Sequence, residues 1–323
     1  MALSNMKVFN EQLQTATIET VAQMVDAFNG ASGGAITLTN QGFDGDYRYE
    51  NFWQGIHSAQ RRVDRYAVNS DGSSTALAQL QEIGVKVAGG FGPILWEPGQ
   101  ITWVQKSPAE AVEVISRNLA EAIVKDQLNT AIQAAVVALE TGTTNTTYDA
   151  GTSVLSYRHI NRAHALFGDA SQMLICDVMD GTSFHDLIDF NLANSTTLFE
   201  AGNVRIVNIL GRRIVVTDAP ALRETPSTTT NDAKILSLVA GGVTVYDGSD
   251  LITNIETTNG KLRIETTFQA DYTFGVALKG YQWDTGNGGK SPDATDLATG
   301  SNWDKIATSY KHTAGVLTMY QTA

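Results

Sequence analysis

The sequence is poor in the residues that announce a function. Its one cysteine, Cys176, rules out an intrachain disulfide. The apolar run Gln172-Met173-Leu174-Ile175-Cys176 marks it as an inert buried thiol. Positive charge is scarce, with 22 Lys and Arg against 34 Asp and Glu and a net charge of −12. A protein that grips phosphates needs a basic face, so a sequence-reading nucleic-acid binder is excluded; one that merely encloses nucleic acid is not. No stretch approaches 18 uninterrupted apolar residues, which excludes a membrane-crossing helix. Polar residues stand where a secretion signal would carry its apolar segment. Apolar residues are 42% and charged residues 17% of the chain, the balance of a folded protein.

Catalytic signatures are missing too. Ser183 and His185 lie near several Asp residues, but no G-x-S-x-G elbow surrounds them, and groups at i, i+2 on one helix point apart. They read as a solvated helix start. Of the five histidines, His57, His159, His164, His185 and His312, none forms H-x-x-x-H or H-E-x-x-H. Asp44-Gly45-Asp46 and Asp247-Gly248-Ser249-Asp250 lack the spacing and terminal Glu of a calcium loop and read as Asp-Gly turns. Gly89-Gly90-Phe91-Gly92-Pro93 lacks the G-x-x-x-x-G-K-[ST] register of a phosphate cradle. Paired glycosidase carboxylates cannot be assigned in a chain this acidic. No enzyme, cofactor or metal is expected.

What is present is one very long helix. Ser107-Pro108-Ala109-Glu110 supplies an N-cap, a first-turn Pro and a Glu able to reach back. Residues rich in Ala, Leu, Glu and Ile then run to Thr141-Gly142. This predicts a helix of roughly 33 residues, about 50 Å long. Val112, Ile115, Leu119 and Ile123 share one face, whereas Leu128, Ile132, Ala135 and Leu139 share nearly the opposite one. The pattern predicts a single spine that changes packing partner near Asp126, in preference to two abutting helices with a kink there.

Around the spine, Val8 to Phe28 reads as an amphipathic helix stopped by Asn29-Gly30, either an arm that docks elsewhere or an ordinary first helix. In the aromatic and charged stretch Phe43 to Tyr66, acids lie among Arg61, Arg62 and Arg65, which favours local ion pairs over nucleic-acid stacking. Val85 to Ala88 and Ile101 to Val104 alternate on either side of the glycines at 89–92. They predict a long hairpin with little core of its own, which must lie on a neighbouring surface. Tyr157–Phe167 and Ser183–Leu192 read as helices. Met173–Cys176, 204–207, 213–217 and 235–246 read as strands, giving an α/β lobe with a Thr-rich loop at 225–232. Asn259-Gly260 between alternating runs is a strong hairpin cue. Its return strand runs through Tyr272, Phe274 and Val276 toward Trp283, and a loop and closing segment follow.

This order of helical arm, glycine-tipped hairpin, long helix, α/β lobe and late strands around Phe268-Gln269-Ala270-Asp271-Tyr272-Thr273-Phe274 resembles the major capsid proteins of tailed bacteriophages, which have the Hong Kong 97-type fold. The resemblance implies an α+β chain with an N-terminal arm and helix at 1–66, an extended E-loop hairpin at 67–106 and a P-domain spine and linker at 107–156. It places the A domain mostly at 157–250, P-domain strands at 251–283 and a C-terminal loop and arm at 284–323. It also implies inter-subunit contacts from the E-loop, for which Lys86, Phe91, Trp96 and Trp103 are the candidates. Some members cross-link an E-loop Lys to a neighbour's Asn; Lys86 reads as an ordinary solvated lysine. The implied partners are copies of the chain in hexamers and pentamers, scaffolding protein and portal, around DNA held without base contacts. The implied place is the virion capsid, assembled in the host cytoplasm. An encapsulin-like compartment shell is the alternative within the fold, and a β-rich carbohydrate-active or surface-binding protein the alternative outside it.

Overall fold

The computed structural model describes residues 3–66, 68, 74, 76–194, 206–209, 212–223, 233–248, 250–259 and 263–321. The Thr-rich loop at 225–232 lies outside the described residues. The helices are α1 (Leu3–Ser32), α2 (Pro98–Lys106), α3 (Pro108–Thr141), α4 (Tyr157–Ala165), α5 (Gly181–Asn194) and α6 (Ala294–Leu297). The strands are β1 (Ile36–Gly42), β2 (Tyr47–Trp53), β3 (Gln79–Trp96), β4 (Thr147–Asp149), β5 (Leu174–Met179), β6 (Ile206–Ile209) and β7 (Arg212–Val216). They continue with β8 (Ala233–Val239), β9 (Val243–Asp247), β10 (Ile252–Thr258), β11 (Glu265–Leu278), β12 (Tyr281–Trp283), β13 (Trp303–Lys305) and β14 (Gly315–Tyr320).

Two six-stranded sheets hold the core. The first runs β1-β9-β11-β3-β2, with β10 also on β11; the second runs β4-β14-β8-β5-β7-β6. The spine α3 touches β9 and β11 of the first sheet and β14 of the second. It is tied by Tyr272 donating to Asp126 at 2.7 Å and Lys234 to Glu140 at 3.2 Å. Thr147 donates to the Leu139 carbonyl at 3.1 Å, satisfying one of the acceptors a helix end leaves open.

The seam of α3 differs from the expected change of face. Ser116, Ala120, Ile123, Gln127, Ala131, Ala134 and Ala138 are all buried at spacings of three or four, so one stripe runs almost the whole helix. Ile132, Ala135, Val136 and Leu139 are buried as well. The second half therefore gains a second buried face and keeps the first. Alanine hides the seam in the sequence because it adds little apolar area while letting a partner helix approach closely. That partner is α1, which packs along α3 and buries Phe9, Leu13, Thr17 and Val25.

The helix α1 also runs through Asn29-Gly30. Asn29 accepts from the Leu38 amide at 2.9 Å and donates to the Leu38 carbonyl at 2.6 Å. It thus clamps the helix end to β1, and the turn comes at Gly33 and Gly34, both with positive φ.

The expected hairpin across residues 89–92 is a single 18-residue strand, roughly 60 Å at about 3.3 Å per residue. Its glycines serve close approach. A Cβ on Gly89 would lie 2.7 Å from the Tyr272 ring, and one on Gly90 would lie 2.6 Å from the Asp271 carboxylate. At Gly92, with φ +111, the ladder to β11 slips register between Phe268 and Ala270, as a bulge does. Ile101 to Val104, read as the returning strand, is helical within α2. Pro98 opens that helix and Gln100 accepts from the Glu97 amide at 2.9 Å, a helix start that resembles a turn in sequence.

The true partner of β3 is β2, antiparallel from Tyr47↔Val85 to Trp53↔Gln79, and Gln54 donates to the Ala78 carbonyl beyond them. Residues 54–78 connect the two strands at the far end of this arm. Farther along, β3 leaves β2 and pairs with β11 from Val85↔Val276 to Trp96↔Thr266.

The last third of the chain also differs from expectation. The strand β14 lies between β4 and β8 in the second sheet, so residues 315–320 are part of the lobe and do not form a terminal arm. Conversely β9, read as lobe, belongs to the first sheet beside β1 and β11. The expected β10–β11 hairpin forms, but Thr258 pairs with Glu265, so Asn259-Gly260 is not its two-residue turn. The stretch 284–304 folds locally: Trp283 and Trp303 are buried edge to face at 4.9 Å, and the Trp283 indole donates to the Gly289 carbonyl.

Candidate subunit interface

The residues that suggested chemistry are dispersed and structural. Ser183 is buried, a departure from the expected solvated helix start. Asp180 caps α5 by accepting from the Ser183 amide at 2.9 Å, and the Tyr320 hydroxyl donates to Ser183 at 2.6 Å. His185, on the same helix, is exposed. Burial raises the Asp180 pKa, but bonds from Arg223 (2.6 Å) and Ser183 outweigh it and hold the group below its ordinary value.

His164, Asp177 and Ser237 form a second buried cluster. The His164 Nε2 faces both Asp177 Oδ1 at 3.1 Å and Ser237 Oγ at 3.0 Å, while Arg212 approaches its Nδ1. A nucleophilic triad needs the acid and the nucleophile on opposite ring nitrogens, so the cluster crosslinks the sheet instead. Burial pushes the Cys176 thiol up to about 12, leaving it protonated and inert. Among the described residues no group of three or more His, Cys, Asp or Glu is arranged to hold a metal ion.

The four candidate contact residues all have partners within the chain. Lys86 lies 3.5 Å from Asp250. Phe91 stacks on Tyr272 at 5.6 Å. Trp96 is buried, stacked on Phe268 at 6.0 Å and edge-on to Phe9 at 6.4 Å. Trp103 is half-buried against the core. The structure does not bring them together on a hairpin tip, because the strand that carries three of them is pinned to β11.

Among the described residues, one group of exposed large apolar side chains lies on the arm. Trp53 is 70% exposed, Ile56 64%, Val63 68% and Tyr66 92%, with Arg61, Arg62 and Arg65 exposed beside them. The aromatic and basic residues at 43–66 were the signal for this surface. Local pairing explains only their inner part, where Arg48 lies 3.0 Å from Glu50 and 4.2 Å over the Tyr246 ring. At the arm's root Glu50 stands directly opposite Glu82. Burial, followed by the nearby Glu50 charge, pushes the Glu82 carboxyl up to about 7. A cavity of about 570 Å³ opens there, lined by Trp53, Glu82, Lys279, Gly280, Ser309 and His312.

Solved capsids share this architecture. The capsid asymmetric unit of Cyanophage Pam1 is 10% identical over 89% of this chain and 88% of that one, with a TM-score of 0.54. Mycobacterium phage Adephagia gives 11% identity, 88% coverage of both chains and a TM-score of 0.52. The head of Helicobacter pylori bacteriophage KHP40 gives 11%, 91% and 89%, and 0.50. No curated protein sequence matches the chain. The fold is that of the Hong Kong 97-like capsid subunit, a mixed α+β shell protein. Within that class the chain belongs to the Gp13-like family, described as major capsid protein 13-like, whose model matches residues 5–317. It is a structural protein of the phage capsid shell; the compartment and carbohydrate readings have no support.

Proposed function

We propose that the chain builds an icosahedral head from hexamers and pentamers of itself, with the β2–β3 arm reaching onto a neighbouring copy as the E-loop. In this reading α3 and the first sheet form the P domain, and the second sheet with α4 and α5 forms the A domain. The observation that carries it is the arm: a two-stranded ribbon with large apolar side chains exposed on and beyond β2. Exposed apolar residues grouped on an edge ribbon mark a contact surface, and heterologous contacts between identical copies close into rings. The inter-subunit role therefore falls on Trp53, Ile56, Val63 and Tyr66, because Lys86, Phe91, Trp96 and Trp103 are already engaged within the chain.

The shell encloses double-stranded DNA without base contacts, as its charge of −12 favours confinement over gripping. It performs no reaction, and scaffolding protein and portal join it during assembly in the host cytoplasm. The test is co-expression with the scaffolding partner, followed by sizing and negative-stain microscopy. Closed shells are expected from the natural sequence and unassembled chain from Ile56→Asp with Tyr66→Asp. Full-size shells from the double variant would defeat the assignment of the arm.

A further inference from the structure

The root of the arm contains a feature that shell-building does not require. Glu50 on β2 and Glu82 on β3 are directly opposed across an antiparallel ladder, where like charges destabilise a pair. Glu50 is held by Arg48 at 3.0 Å and by the Tyr246 hydroxyl at 3.2 Å, so it stays engaged with its own wall. Glu82 is half-buried and accepts from the Gly280 backbone, while Lys279 lies close enough to favour its charge. The remaining titratable group facing the cavity is His312.

The geometry points to a protonation-controlled latch. With the Glu82 carboxyl neutral, the opposed Glu50–Glu82 pair carries one charge and the β2–β3 root stays closed; with both charged, burial and repulsion across the ladder outweigh the Lys279 and Gly280 contacts, and the root loosens and the arm is released. Two observations support it beyond the opposed pair. The cavity of about 570 Å³ beside Glu82 gives the root room to move. The turn it bonds is fixed by Gly280 at φ +79, where an added Cβ would lie 3.0 Å from the His312 carbonyl. The body side is thus the rigid partner and the ribbon the moving one.

The sign follows from linkage. Glu82 is raised from 4.5 to about 7 in the folded chain. The folded root therefore binds more protons than the opened one between these values and loses stability as pH rises through them. The test is backbone hydrogen exchange on the full-length unassembled chain, corrected for intrinsic rates, from about pH 5.5 to about pH 8.5. Amides of β2 and of residues 79–85 should exchange about tenfold or more faster at the upper end, while β8 and β14 stay unchanged. Glu82→Gln should abolish the dependence and keep the slow rates at high pH, and Glu50→Gln, which removes the like charge that helps raise Glu82, should move the transition to lower pH and shrink it. Identical profiles for the natural chain and both variants would overturn the latch. A transition that persists in Glu82→Gln but vanishes in His312→Asn would overturn it as well, by assigning the change to His312.

Discussion

Strands β2 and β8 are each seven residues long, and they are used in opposite ways. Every residue of β8 is buried, including Lys234, which reaches out to Glu140. It lies inside the second sheet between β14 and β5. In β2 no residue is fully buried, and it forms the edge of the first sheet with Tyr49 and Trp53 facing solvent. An inner strand stabilises the monomer through the apolar area it covers. An exposed edge strand contributes little to the monomer and leaves its area for another molecule. The comparison separates residues that make the subunit from residues available to make the shell.

Substitutions should separate the two along the same line. Leu236→Ala, at the centre of β8 and fully buried, should cost about 2–5 kcal/mol in chemical denaturation. A cost near zero would mean that the second sheet is not the core described here. Arg223→Met strips the buried Asp180 carboxylate of its 2.6 Å partner and should cost about 2 kcal/mol, because an ion left without its partner is worse than no pair. Because Asp180 is held below its ordinary value, its contribution is present above the unfolded pKa and lost as pH falls through the folded one. The variant should therefore show a flatter acid limb in a titration of unfolding. Tyr272→Phe removes the hydroxyl that joins β11 to Asp126 on the spine and should cost about 1 kcal/mol by thermal unfolding. Trp53→Ser should change monomer stability by less than about 0.5 kcal/mol, as exposed positions do, yet lower the yield of assembled shells. An unfolding midpoint that fell as far as that of Leu236→Ala would erase the distinction between the two strands.

Much of this was legible in the sequence where the signal is local. The spine was readable because Ser107-Pro108 and Gly142 bracket a long run of good helix formers, and the observed helix starts at Pro108 and ends at Thr141. Its packing was less so, since Ala120, Ala131, Ala134 and Ala138 are small enough to escape a search for apolar stripes. Gly89, Gly90 and Gly92 look like a bend until Tyr272 and Asp271 are seen to occupy the space their side chains would need. That is a contact between residues more than 180 positions apart, which spacing alone does not reveal. The same limit hid the place of β14 and the packing of Trp96 on Phe268 and Phe9. The aromatic density around residues 43–66 was visible, but its exposure was not.

The position of β14 also sets a timetable for synthesis. Leu236 of β8 takes Leu317 of β14 as its partner, so on a translating ribosome the inner strand is made about 80 residues before its neighbour. At about 5–20 residues per second that is a wait of roughly 4–16 s. During this interval a mostly apolar strand has one open edge, the condition under which nascent chains pair with each other. Completion of the lobe late in translation holds a chain back from assembly until its sheet can close, and makes stalling between residues 240 and 315 a route to aggregated subunits.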